Sequence, residues 1–207
     1  MSYHPRKMLL LISLVLSFQV NAAFIRADTA VASSEYNLSN SGFNGEALNT
    51  INGSGMPSGF DQTDVHSAYV SGNHWTTQPS DTLRSITWGF NTATAISGIY
   101  LWNHQSSSPG IIAANAGYDV TMFTLTLLDS TNGVVALFED VSLAVDSSLA
   151  SFFSFGALFS DVTSVRFDIT ATQEPTTLYT GIAEVGFETA AVNVNAPWTL
   201  TWFCSAV

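Results

Sequence analysis

Beyond residue 23 the apolar positions recur in short runs, and none of them keeps a helical period. β-Branched and aromatic residues alternate with polar ones, and each run ends in a cluster of Gly, Ser, Asn or Asp. That spacing is the pattern of a β-sandwich or barrel. Strands are predicted near Thr29–Tyr36, Thr82–Phe90, Ile96–Asn103, Asp119–Leu128, Val134–Val141, Val162–Thr170 and Leu178–Glu188. The sharpest alternation is Thr121–Leu127, where Phe123, Leu125 and Leu127 oppose Met122, Thr124 and Thr126, as one buried face requires. Asp129–Gly133 follows, and Asn132-Gly133 tolerates positive φ, so the chain should fold back into Val134–Phe138 as a hairpin. Trp88 shares a strand face with Ile86 and Phe90 and is assigned to the core. Two stretches break the pattern: Asn37–Pro79 and Ser106–Gly117 are long and rich in Gly, Ser and Asn. Inside a compact domain such segments are functional loops or disordered ones.

The ends divide the chain into three segments. Arg6 and Lys7 precede an apolar run, Leu9–Val20, and Asn21-Ala22-Ala23 supplies small residues for cleavage. This is the layout of an export signal. The run is shorter than the roughly 20 residues a spanning anchor needs. The expectation is a leader at 1–22, one domain at 23–190 and a tail at 191–207, in a protein that is secreted, extracellular or held at the cell surface. A domain of that length buries a core without disulfides. Cys204, the only cysteine, cannot form an intrachain bridge.

Charge narrows the partners. Sixteen acidic residues face five basic ones, for a formal net charge of −11. Two of the five, Arg6 and Lys7, belong to the leader, which leaves Arg26, Arg84 and Arg166 and no lysine. Nucleic acid and anionic membrane surfaces are therefore excluded as partners, because phosphate binding needs clustered cations. Catalysis finds no support either. No Gly-x-Ser-x-Gly elbow, His-Glu-x-x-His helix or Cys-His pair is present. His66, His74 and His104 could meet Asp61 or Asp64, but on separate loops they lack a metal-ligand spacing. The acids lie mostly in turns, which argues against the paired carboxylates of glycoside hydrolysis. The chain reads as a non-enzyme.

Several segments, in order, resemble the galactose-binding-like domains of the discoidin and coagulation-factor C type. They are Val31–Ser34, Ala47–Gly53, Ser85–Phe90 with Ile96–Asn103, Tyr118–Leu128, and Val165–Ile169 with Gly181–Val185. The resemblance implies an all-β, antiparallel jelly-roll sandwich that binds sugars, or lipid or protein surfaces, rather than catalysing. Many such domains hold a structural calcium through early-loop carbonyls and a glutamate on the last strand. Glu184 matches that glutamate, and Asn52 stands where an aspartate is usual. The implied metal set is Asn52, Asp61 and Glu184, with Asp64 as an alternative to Asp61. Equally, Glu184 accepts hydrogen bonds from loop amides and binds nothing.

Sugar sites pair an aromatic platform with a few polar groups, and in this family they sit on loops. His74, Trp75, Trp102, Asn103 and His104 supply those types, although both tryptophans also read as packed rings. The expected function is an exported, non-catalytic binding module for carbohydrate or a cell-surface or matrix glycan. The alternative is a structural or surface-assembly protein without a small ligand. The first predicts exposed loop aromatics around a shallow cleft, the second buried aromatics under a smooth acidic surface. Asn195-Ala196-Pro197 and Trp198–Val207 resemble the start of a PEP-CTERM-type sorting signal without its full apolar helix or basic end. A run of that length cannot span a membrane.

Overall fold

Strand-forming runs and turn clusters make ten strands among the described residues, all paired antiparallel. In the computed structural model, which describes residues 22–38, 42–105 and 117–189, these are β1 (Phe24–Ile25), β2 (Thr29–Ala32), β3 (Tyr36–Leu38), β4 (Phe43–Gly45), β5 (Trp75–Thr76), β6 (Ser85–Asn103), β7 (Val120–Leu128), β8 (Val134–Ser142), β9 (Ser151–Thr172) and β10 (Gly181–Thr189). A single 3-10 turn, Ala47–Thr50, interrupts them, and among the described residues there is no α-helix. The predicted leader, the Ser106–Gly117 connection as far as residue 116 and the tail with its sorting-signal resemblance lie outside the described residues. Residues 22–190 form one compact unit.

Two strands are far longer than the rest and belong to both layers of the sandwich. The N-terminal half of β6 pairs with β2 and with the C-terminal half of β9, which continues into β7 and β8. The C-terminal half of β6 pairs with β10 and with the N-terminal half of β9; β10 in turn carries β1 and β5. Between Gly89 and Gly98 the β6–β9 register shifts three times, and there the ladder turns from one layer to the other. Left-handed residues on β9, Gly156 at φ 71° and Asp161 at φ 63°, lie along the same bend.

These long strands correct the sequence reading. The predicted Thr82–Phe90 and Ile96–Asn103 strands are one continuous β6, because Asn91–Ala95 bends rather than breaks the chain. The strand expected at Val162–Thr170 starts at Ser151, and the one expected at Thr29–Tyr36 is two short strands, β2 and β3. The β7–β8 hairpin forms as predicted. Asn132 takes φ 61°, and Asp129 Oδ1 accepts the amides of Thr131 and Gly133, each at 2.8 Å.

The main core lies between the layers. Phe123, Leu125 and Leu127 meet Val165 and Phe167, while Ile99, Leu101, Val185 and Phe187 come from the opposite layer. Trp88 is fully buried, bridges Phe167 and Phe187, and donates Nε1–H to Thr50 Oγ1 at 2.8 Å. On the other face of the β10–β6 layer, register aligns Glu184 with Trp102, Gly186 with Tyr100 and Glu188 with Gly98. A smaller cluster of Met56, Trp102 and Ala183, flanked by Phe24, Phe60 and Tyr100, covers some of this outer face.

Candidate functional site

At one end of the sandwich, irregular segments bring six rings into a closed circuit. The β3–β4 hairpin places Tyr36 and Phe43 side by side, with centroids 5.5 Å apart. Phe43 meets Tyr69 at 5.8 Å, and Tyr69 tilts over His104 at 4.5 Å. His104 meets Tyr118 at 5.8 Å, Tyr118 meets Tyr179 at 5.3 Å, and Tyr179 returns to Tyr36 at 5.0 Å. Tyr36, Phe43, Tyr69 and Tyr179 are half-buried, so the circuit borders solvent.

The phenol hydroxyls converge. Burial pushes the Tyr69 pKa up to about 12, a hydrogen bond with Thr76 opposes this, and the nearby Tyr118, Tyr36 and Tyr179 hydroxyls add to the rise. A hydrogen bond with Tyr36 pushes Tyr179 up to about 12 as well. At neutral pH these groups are uncharged donors and acceptors grouped around apolar ring faces.

From His104 in the circuit, two further histidines lead inward. His74 is 5.0 Å from His66 and 5.0 Å from His104, centroid to centroid, and all three are buried. His74 Nδ1 meets Asn73 Oδ1, His66 Nδ1 meets the Ser67 carbonyl at 2.8 Å, and His104 Nε2 meets Thr76 Oγ1 at 3.1 Å. Among the described residues their remaining ring nitrogens have no hydrogen-bond partner. Burial lowers all three pKa values, that of His74 well below the ordinary 6.5 and that of His104 to about 4 despite the nearby Asp119 charge. The trio is neutral at pH 7 and acts as packing. Among the described residues no three His, Cys, Asp or Glu side chains are arranged to hold a metal ion.

The ligand residues expected from the sequence are therefore gathered at this end, but under its surface. Trp75 is fully buried, because β5 pairs with β10 and its Nε1 donates to the Ser34 carbonyl at 2.8 Å. Trp102 is also fully buried on the outer face, with Nε1 donating to the Asp64 carbonyl at 3.0 Å. Neither offers a ring face to a ligand. The Asn103 amide is spent on chain bracing: Nδ2 donates to the Val120 and Ala144 carbonyls, and Oδ1 accepts the Val120 and His104 amides. His74 and His104 floor the circuit. The rings that reach solvent are Phe43 and three tyrosines that sequence reasoning passed over. One signal pointed to them: of the tyrosines after the leader, all but Tyr100 stand in or at the edge of irregular stretches. An open cleft of about 590 Å³ runs beside β2 past Val31 and Gln78. Its Glu35 and Asn37 side chains are committed to the Ala47 and Gly45 amides.

Among the residues of the expected metal set, Glu184 meets the Ala47–Gly53 loop, and the others have oxygens committed to nearby groups. Glu184 is buried, and its Oε1 accepts the Gly53 amide at 3.0 Å. Its Oε2 is buried without a hydrogen-bond partner, the one feature a cation would satisfy. Asn52 Oδ1 accepts the Ser54 amide, Asp61 Oδ1 is taken up by Thr63, and Asp64 Oδ2 accepts the amides of Phe60 and Asp61. The Arg26 guanidinium lies over the Phe60 ring at 4.0 Å, donates to the Gly59 carbonyl at 2.7 Å and acts electrostatically on Glu184. One carboxylate with an amide aimed at it and a guanidinium nearby does not fit calcium, which takes several hard oxygens. Burial instead pushes the Glu184 pKa up to about 8, so the acid is largely protonated at neutral pH.

No protein-family model matches the sequence, and no curated protein does. Solved structures share the fold. A family 32 carbohydrate-binding module of Clostridium perfringens NanJ, in complex with galactose, aligns at 13% identity over 80% of this chain and 99% of its own, with a TM-score of 0.52. A fucose-binding module of Streptococcus pneumoniae aligns at 12% identity over 84% of this chain and 96% of its own, with a TM-score of 0.54. An F5/8 type C domain of Bacteroides fragilis aligns at 9% identity over 82% of this chain and 98% of its own, with a TM-score of 0.51. The chain has the discoidin-like galactose-binding fold that its strand motifs suggested.

Proposed function

We propose that this chain is a non-catalytic carbohydrate-binding module whose ligand sits at the tyrosine circuit. The observation that carries the reading is the closed circuit of aromatics, four of them half-buried, with converging hydroxyls. A pyranose offers apolar C–H faces and a rim of hydroxyls, and the circuit offers ring faces and neutral phenols to match. Galactose and fucose, bound by the structural neighbours, are the first ligands to test. The leader pattern supports export, and the absence of any basic cluster leaves nucleic acid out of this reading. Among the described residues no helix is long and apolar enough to cross a membrane.

The test is a glycan array on the purified chain, followed by calorimetric titration with each glycan it retains. Tyr69→Phe keeps the ring and loses the hydroxyl, and Tyr179→Phe does the same across the circuit. Each should weaken binding by about tenfold, the size of one lost hydrogen bond. A wild-type chain that binds no glycan, or variants that bind as tightly as wild type, would sink the reading.

A further inference from the structure

A second row of rings crosses the outer face of the β1–β10–β6–β9 layer, away from the tyrosine circuit's residues. Phe60 meets Phe24 at 4.9 Å, Phe24 meets Tyr100 at 5.4 Å, and Tyr100 meets Phe152 at 4.5 Å. Strand register explains the row: Phe24 pairs with Glu188, Gly186 with Tyr100, and Tyr100 with Phe152, so these positions share one face. Two glycines let the rings approach the sheet closely, with Phe24 edge-on to Tyr100 at 78° and Tyr100 tilted by 33° against Phe152. A Cβ at Gly186 would come within 2.0 Å of the Phe24 ring, and one at Gly98 within 2.5 Å of Phe152. Phe152 remains 46% exposed, and the other three are half-buried.

Beside the row stands a fixed polar rim. Glu188 Oε2 accepts the Ser97 hydroxyl at 2.9 Å, and its Oε1 accepts Tyr100 O–H at 3.4 Å. Covering two glycines explains that rings are present. It does not explain a continuous row of them, nor a carboxylate held in place along its edge.

We infer that this face is a second binding surface, for a neutral polysaccharide in extended conformation, with sugar rings lying against Tyr100 and Phe152, the apolar row continuing over Phe24 toward Phe60, and sugar hydroxyls donating to Glu188. Charge selects this occupant. At the Tyr100 end the Glu188 carboxylate disfavours polyanionic glycans and anionic lipid, and the chain's net charge of −11 adds to that; at the far end the Arg26 cation lies over Phe60 and donates to the Gly59 carbonyl. A second copy docking symmetrically would bring Glu188 toward its own mate. The inference shares the carbohydrate reading but uses residues that the tyrosine circuit does not contain, so the two fail separately.

The experiment is sedimentation of the purified chain with microcrystalline cellulose, insoluble chitin and insoluble β-galactan, with polygalacturonate as the anionic control. Melting temperature and oligomeric state are recorded for every variant. Retention is expected on at least one neutral polymer and not on polygalacturonate. Phe152→Leu keeps Gly98 covered but removes the ring, and Tyr100→Leu removes its neighbour; each should weaken retention by about tenfold, as one lost ring contact implies. Phe152→Tyr should bind like wild type. Galactose or fucose binding at the tyrosine circuit should be unchanged in Phe152→Leu. Three results would overturn the inference: no retention on any neutral polymer, equal retention by folded Phe152→Leu and wild type, or a dimer that Phe152→Leu dissolves.

Discussion

Substituting Glu184 by Gln isolates the energetic cost of a buried acid on the outer face of the sheet. The carboxyl ionises near 4.5 in an ordinary setting and near 8 in the fold, because burial outweighs the Gly53 amide and the Arg26 charge. Between those values the native chain keeps a proton that the unfolded chain has released. The unfolded state binds fewer protons, so stability falls as pH rises. The contribution is complete below about 4.5 and lost as pH passes about 8. The gap is worth about 5 kcal/mol across the whole window, at about 1.4 kcal/mol per pH unit.

The three buried histidines slope the other way. Their folded pKa values lie below 6.5, so the stability they contribute is present above 6.5 and lost as pH falls toward about 4, the value for His104. A wild-type profile alone therefore mixes two opposed limbs, and the difference between wild type and Glu184→Gln removes the histidine limb. Urea unfolding followed by tryptophan fluorescence at intervals from about pH 5 to pH 9 measures that difference. The two curves should converge at the acid end and separate toward the alkaline end, with the Gln variant the more stable there. Parallel curves would refute the buried, protonated acid.

Millimolar calcium should leave the melting temperature where chelator leaves it, since the donors around Glu184 do not fit the ion; a rise in wild type that Glu184→Gln abolishes would reverse that conclusion. His104→Leu, similar in bulk and without a titrating nitrogen, should flatten the acid limb of the urea profile, and an unchanged limb would assign it to His66 and His74. Trp88→Phe removes the hydrogen bond that Thr50 Oγ1 accepts, leaving it only the one it donates to the Ala47 carbonyl, and opens space between the layers; it should cost about 2–4 kcal/mol by denaturant titration, and a loss under about 1 kcal/mol would contradict the packing described.

Period-two alternation made the strands around Phe123, Trp88 and Val165 legible, because one face of each is buried and the pattern records it. The bend at Asn91–Ala95 was not legible as strand. Its exposed polar residues look like a loop, and only pairing with β9 shows that the ladder continues. Ser151–Asp161 escaped for a similar reason: Phe152, Phe153 and Phe155 put rings on both faces, so the alternation is lost. Around the candidate site both tryptophans named from the sequence are buried, and the half-buried rings are others. Trp75 and Trp102 are the largest rings there, and large rings tend to be buried. The circuit tyrosines that reach solvent come from three segments distant in sequence, and no local pattern joins Tyr36 to Tyr179.

Because β6 and β9 each run through both layers, the sandwich has no seam. Opening one layer from the other would tear the longest interstrand ladder in the domain as well as separating its apolar faces. Partial opening is thus costly everywhere at once. Backbone amides in both layers should share one protection level against hydrogen exchange, as a single cooperative unit does. The rings on the outer face then stand on a rigid floor, which can accept a ligand without spending binding free energy on ordering itself.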